Sequence, residues 1–178
     1  MPKLFLPVIL GTARKGRLSE IAAKFVVEQV KAAGHKTQLV DPRKYLDKPA
    51  TSGSSKKVQD AYRSLVAKAD GFILVVPEYN HGYPGELKMM MDQAYKEYTR
   101  KPIGVMGVSA GPLGGARVVD LIRPTLTAYN LVVSNKTHYF MNAKEGMKIK
   151  KKQEGPRADG VIEDVAWFSQ VLKDARDV

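Results

Sequence analysis

Hydrophobic positions along this chain follow two alternating rhythms. Short β-branched runs are separated by longer stretches in which apolar residues recur every three to four positions. Residues 3–10 read as a first strand. Leu18, Ile21, Ala22, Phe25, Val26 and Val30 then recur at helical spacing, and Gly34 ends that helix. Thr37-Gln38-Leu39-Val40 is a short second strand, and the Pro, Gly and Ser clusters of residues 41–57 predict a flexible loop. Val58, Ala61, Tyr62, Leu65 and Ala69 mark helix two. Phe72 to Val76 is apolar at every position, as a strand buried on both faces should be. A third helix is predicted over 86–98, a fourth strand over Ile103–Val108, and a fourth helix over 114–129 with Pro124 kinking it. Leu131-Val132-Val133 is strand five, and Val161, Val165, Phe168, Val171 and Leu172 set a last helix near 159–175.

Five strands alternating with five helices predict an α/β fold. The expected architecture is a doubly wound parallel sheet with right-handed crossovers and helices on both faces. Five-stranded chains of this kind commonly take the order 2-1-3-4-5, which turns the carboxyl ends of strands one, three and four toward one crevice. The three most unusual loops of the sequence follow those same strands. No repeat or linker divides the chain, so residues 1–178 are expected to form a single domain.

Composition narrows the class. With 178 residues, 44% of them hydrophobic, the chain suits one ordinary core. It has no cysteine, which excludes disulfides and thiolate metal sites and fits a reducing compartment. The apolar N-terminal run is short and lacks a small-residue cleavage site, so a strand explains it better than a signal peptide. No run approaches the ~20 apolar residues needed to span a bilayer, and a cytoplasmic protein is expected. The net charge of +11 favours anionic partners. Lys144, Lys148, Lys150, Lys151 and Lys152 concentrate part of it in a segment read as a solvated loop, a subunit contact or an attractor of anionic cofactors. No motif interleaves these lysines with aromatics, so nucleic acid is not an expected partner.

Chemistry concentrates in the three loops. The first, Gly11-Thr12-Ala13-Arg14-Lys15-Gly16-Arg17-Leu18-Ser19, opens helix one, where unpaired N–H groups and a partial positive charge suit phosphate. Thr12 and Ser19 offer hydroxyl donors, and Arg14 and Arg17 offer charge-assisted ones. The loop has neither the P-loop ending nor the dinucleotide glycine fingerprint, and it suits a terminal monophosphate. Ser19 can equally be an ordinary helix cap. The second loop, Pro77-Glu78-Tyr79-Asn80-His81-Gly82-Tyr83-Pro84-Gly85, can hold a flat polar ligand. There Tyr79 would stack on or edge a ring, and Asn80 would touch ligand. Glu78 can pair with a basic residue, Tyr83 can pack against a partner subunit, and His81 is either a surface histidine or a catalytic one. The third, Ser109-Ala110-Gly111-Pro112-Leu113-Gly114-Gly115-Ala116-Arg117, lets backbone approach a ligand. Gly107-Val108-Ser109-Ala110-Gly111 also matches the nucleophile-elbow pattern, but His138, the only later histidine, falls in or beside strand five rather than in a following loop.

Taken together, Gly11-Thr12-Ala13-Arg14 with Ser19, Pro77-Glu78-Tyr79-Asn80 with Pro84-Gly85, Leu87-Lys88 and Asp92, and Ser109-Ala110-Gly111 with Gly114 to Arg117 resemble the NAD(P)H-dependent FMN reductase family, whose fold is flavodoxin-like. The resemblance runs to about residue 140. It implies that Thr12, Arg14 and Ser19 hold the FMN phosphate, and the loop's own chemistry adds Gly11 and Arg17 as expected neighbours of that group. It implies that Pro77, Glu78, Tyr79 and Asn80 frame the isoalloxazine ring, and that Ser109, Gly111, Gly114 and Gly115 border its other edge. It further implies ping-pong electron transfer from NADPH or NADH through FMN to a small-molecule acceptor: a quinone, azo compound, flavin or metal oxyanion. Members assemble as homodimers or homotetramers through the helix expected at 86–98. Met89-Met90-Met91 and Tyr83 depart from the family pattern. The outer half of the second loop, His81 to Tyr83, is expected to face the second substrate. A flavodoxin-like electron carrier without nicotinamide oxidation, or a non-redox nucleotide-binding regulator, is the competing expectation.

Overall fold

A computed structural model of the protein describes residues 3–49, 53–149 and 158–176. Strands β1 (Val8–Leu10), β2 (Leu39–Val40), β3 (Phe72–Pro77), β4 (Pro102–Val108) and β5 (Val132–Phe140) form one sheet in the order β2-β1-β3-β4-β5. All four pairings are parallel, as the alternation of elements predicts. The helices are α1 (Ser19–Ala32), α2 (Lys56–Lys68), α3 (Gly85–Met91), α4 (Ala116–Ala128) and α5 (Ala158–Arg176).

Side chains alternate across the pleat, so each strand feeds two cores. Val8, Leu10, Ile73, Val75 and Met106 pack with α1 and α5 on one face. Ile9, Leu74, Val76, Ile103 and Val105 pack with α2, α3 and α4 on the other. Burial on both sides explains why β3 and β4 read as unbroken apolar runs.

At four places the structure departs clearly from the sequence expectation. The first strand was expected over 3–10 but is regular only over Val8–Leu10. Pro7 has no N–H to give the ladder, and before it only Phe5 bridges to Lys36. The helix expected over 86–98 ends at Met91. Gln93 turns its amide onto the Tyr45 carbonyl (2.8 Å), and Tyr95, at φ −141° and ψ −65°, leaves helical geometry. A 3-10 turn, Lys96–Tyr98, follows instead. The loop expected to be flexible is tied down. Asp41 caps a 3-10 turn at Pro42–Lys44, Tyr45 packs on Tyr62 with ring centres 5.2 Å apart, and Ser54 donates to the Tyr45 carbonyl. Residues 50–52 of that loop lie outside the described residues.

β5 differs most. Three residues were expected, and nine are found. Ile103 pairs with Val133, yet Val105 pairs with Thr137, so Ser134, Asn135 and Lys136 bulge out of the ladder. The bulge is held from behind. Ser134 is buried, its hydroxyl bonds Asp164 of α5, and its carbonyl accepts from Arg123 of α4 (2.9 Å). The longer strand carries His138 and Phe140 to the carboxyl edge.

Candidate functional site

The carboxyl ends of β1, β3 and β4 open onto a cleft of about 320 Å³. All three predicted loops reach it: Arg14, Arg17 and Ser19 from the first, Pro77, Glu78 and Tyr79 from the second, Ser109 from the third. Gly16, Leu18, Val108, Ala110 and Ala143 complete the wall. Gly11, Thr12, Asn80, Gly111, Gly114 and Gly115 do not line it.

The first loop is tied to its surroundings through Thr12, Ala13, Arg14 and Arg17. Arg17 stretches beneath it, buried, with a side chain only 2% exposed. Its guanidinium grips Asp41 with both terminal nitrogens, donates to the Thr12 carbonyl (2.8 Å), and meets Glu20 at 3.2 Å. Burial works against this charge, but the hydrogen bond and charge of Asp41 outweigh it and raise the pKa above the ordinary arginine value. The guanidinium expected on an anion therefore has internal partners. Arg43 closes the loop from outside, donating to the carbonyls of Ala13 (2.8 Å) and Arg14 (2.6 Å). The Thr12 hydroxyl points to Glu86 (2.7 Å), which also accepts the Ala13 N–H (3.1 Å), and Thr12 Oγ accepts the Arg14 N–H.

Two side chains of this loop remain for a ligand in the cleft. Arg14 is exposed, with its guanidinium 5.5 Å from the Tyr79 ring centre. Ser19 stands at the first turn of α1, 2% exposed, with a hydroxyl that has no hydrogen-bond partner. No side chain caps α1. An orphaned buried hydroxyl beside the uncapped start of a 14-residue helix is a donor set awaiting an anion. A flavin monophosphate fits it.

In the second loop, Tyr79 and Gly82 exchange two backbone hydrogen bonds of 2.9 Å around Asn80 and His81, whose φ values are 47° and 66°. This is a two-residue type I′ hairpin. It turns Asn80 and His81 into solvent, away from the cleft. Tyr83 does not face outward with them: its hydroxyl pairs with Thr125 of α4 at 3.0 Å. Glu78 lines the cleft but uses its carboxylate on the start of α4, accepting the Val118 N–H (3.3 Å) and approaching Arg117 (3.5 Å). Lys88 and Asp92 form a local ion pair at 2.7 Å.

In the third loop, Gly114 and Gly115 are buried in left-handed conformation at φ 59° and 85°, packed under β4 and β5. Ser109 donates to the Gly111 carbonyl (3.1 Å), and His138 lies within β5 with its ring edge-on to Phe140 at 4.5 Å.

Sequence reading missed Asp41, Arg43 and Glu86 as makers of this site. A carboxylate one residue into a helix after Pro84-Gly85 was the available signal for Glu86.

Comparison with known proteins gives the family. The profile described as NADPH-dependent FMN reductase matches residues 6–146. An NAD(P)H-dependent FMN reductase of Schizosaccharomyces pombe is 37% identical over 124 residues, 64% of this chain and 60% of that protein. The match thus spans less than two thirds of that relative's length. An NADPH azoreductase of a Bacillus species is 26% identical over 161 residues, 90% of this chain and 87% of that protein. Among solved structures, a flavoenzyme NAD(P)H:(acceptor) oxidoreductase of Paracoccus denitrificans superposes with a TM-score of 0.72 at 18% identity, covering 96% of this chain and 98% of that one. It shares the fold.

Proposed function

The chain belongs to the NADPH-dependent FMN reductase family, and from that premise we propose that it oxidises NADPH or NADH and passes the electrons, through bound FMN, to a small-molecule acceptor. Quinones, azo compounds, flavins and metal oxyanions are the acceptor classes. The single observation that carries this reading is the orphaned Ser19 hydroxyl at the uncapped start of α1, facing a cleft walled by Tyr79. When bound, FMN supplies the two-electron chemistry between donor and acceptor. The chain's own groups bind and orient. Ser19 and the first turn of α1 hold the phosphate, and Arg14 closes over it. Pro77 and Tyr79 flank the ring, and Ser109 with Ala110 borders it. Glu78 keeps the ring loop in register with α4. The basic balance of the chain raises the encounter rate with polyanionic donors.

Stopped-flow mixing tests the activity. NADPH or NADH should bleach the FMN-loaded protein at about 450 nm, a property of the cofactor, and quinone should restore the colour. Bound FMN that neither nicotinamide bleaches would make the protein an electron carrier instead.

Replacing Ser19 by alanine should weaken FMN binding by about 1.5 kcal/mol, the contribution of one hydrogen bond to a charged group. Fold stability should hold, since that hydroxyl has no protein partner to lose. Isothermal titration with FMN, beside a urea unfolding curve, checks both halves. Unchanged affinity removes Ser19 from the phosphate site.

The working unit in this reading is a homodimer or homotetramer of a single-domain chain, meeting through segment 86–98. Tyr95, 56% exposed there, is the large side chain such a contact would cover. Sedimentation velocity measures the assembly. Among the described residues no helix is long and apolar enough to cross a membrane, and the absence of cysteine supports the cytoplasm as the compartment.

A further inference from the structure

Glu86 belongs to α3, yet its bonds go to the first loop. One carboxylate oxygen, Oε1, accepts the Thr12 hydroxyl (2.7 Å) and the Ala13 N–H (3.1 Å). Thr12 is fully buried, and its hydroxyl oxygen in turn accepts the Arg14 N–H (3.1 Å). One oxygen atom therefore fixes the loop over three consecutive residues. It also fixes which groups the loop shows to the cleft. Glu86 takes up the Thr12 hydroxyl and the Ala13 N–H, the Thr12 oxygen also lies 3.4 Å from the hydroxyl of Tyr79 in the cleft wall, and Arg14 and Ser19 line the cleft themselves. Because α3 follows the Pro77–Gly85 loop directly, the same bonds lock the phosphate loop to the ring loop. A carboxylate so close to a phosphate site would by charge alone weaken anion binding. Its bonds run to the buried side of the loop, where Thr12 lies out of the cleft.

We propose that Glu86 is a positioning residue for the phosphate end of the flavin: as a hydrogen-bond acceptor, it sets the Arg14–Ser19 geometry that distinguishes FMN from flavin lacking a phosphate. The inference rests on the FMN reading above. Removing the acceptor takes the partner from the half-buried Ala13 N–H and leaves the buried Thr12 hydroxyl only the Tyr79 hydroxyl, 3.4 Å away, so the loop must turn to satisfy them. Glutamine retains an acceptor oxygen at the same reach, so acceptor geometry rather than charge decides the outcome.

The test compares FMN with riboflavin, which has the same ring system and no phosphate. Dissociation constants for both come from flavin fluorescence titrations of the full chain, as wild type, Glu86→Ala and Glu86→Gln. In Glu86→Ala, FMN binding should weaken about tenfold and riboflavin binding should stay level. The preference for FMN then shrinks by the same factor. Glu86→Gln should bind FMN within about threefold of wild type, the small difference expected when one acceptor oxygen replaces another. Equal weakening toward both flavins would show a general loss of structure and overturn the proposal. Tighter FMN binding by Glu86→Ala would do so too, because it would make Glu86 a competitor of the phosphate. A glutamine variant as weak as the alanine one would sink the acceptor argument. If the wild type binds neither flavin, the FMN reading itself falls and this inference with it.

Discussion

Replacing Asp41 by alanine is expected to destabilise the fold by about 3–5 kcal/mol, the usual loss when one partner of a buried ion pair is removed. The reason lies in what is left behind. The Arg17 side chain is 2% exposed and cannot reach water without moving the loop above it. Glu20 and the Thr12 carbonyl alone would face its charge. The damage spreads, because Asp41 also caps the Pro42–Lys44 turn. That turn aims Arg43 at the carbonyls of Ala13 and Arg14. FMN affinity should therefore fall together with stability.

The effect has a pH signature. Burial would raise the Asp41 carboxyl, but the Arg17 hydrogen bond, the Arg43 N–H and both charges outweigh it and hold its pKa below the ordinary value of 3.8. A depressed carboxylate stabilises the folded state above its unfolded pKa, and that stability is lost as pH falls through the folded one. The gap between wild type and Asp41→Ala should thus be constant near neutrality and close in acid, below about pH 4. Urea unfolding across pH 3 to 8 reads it. A gap that widens on acidification would contradict the account.

Gly107→Ala should be nearly as costly, at about 3 kcal/mol, toward the upper end for overpacking. A Cβ at Gly107 would stand 2.6 Å from the Gly114 carbonyl oxygen and 2.8 Å from that of Gly115. Both are backbone atoms, and both glycines are buried in left-handed conformation. The loop that carries Ser109 and Ala110 must therefore lift off β4. Thermal unfolding reads the loss, and an unchanged melting temperature would mean that the third loop yields more easily than its packing implies.

Much of the architecture was legible because it rests on period and burial, which a chain displays locally. Unbroken apolar runs at 72–76 and 103–108 marked doubly covered strands, and the loops at their ends marked the crevice. What escaped was decided by partners far away in sequence. Arg17 looks like an anion ligand until Asp41, 24 residues on, folds beneath it. Glu86 reaches across 74 residues to Thr12. β5 was hidden because its middle is polar: Ser134, Asn135 and Lys136 break the apolar period where the strand bulges, and only α4 and α5 explain how that stretch is held. The helix expected beyond Met91 failed similarly, to side-chain bonds from Gln93 that no local propensity reports. Lys144 and Lys148 are exposed, and Lys150 to Lys152 lie outside the described residues.

The bulge in β5 has a consequence for life in a crowded cell. β5 is the outermost strand on its side of the sheet, and nine residues make it the longest one. A smooth open edge of that length invites a second chain to add itself as a further strand, the first step of aggregation. Ser134 to Lys136 interrupt the row of free backbone groups near its middle and set a charged side chain, Lys136, on the interruption. An incoming strand cannot keep register across that gap, so the fold carries its own safeguard against self-templated assembly where it is most open to it.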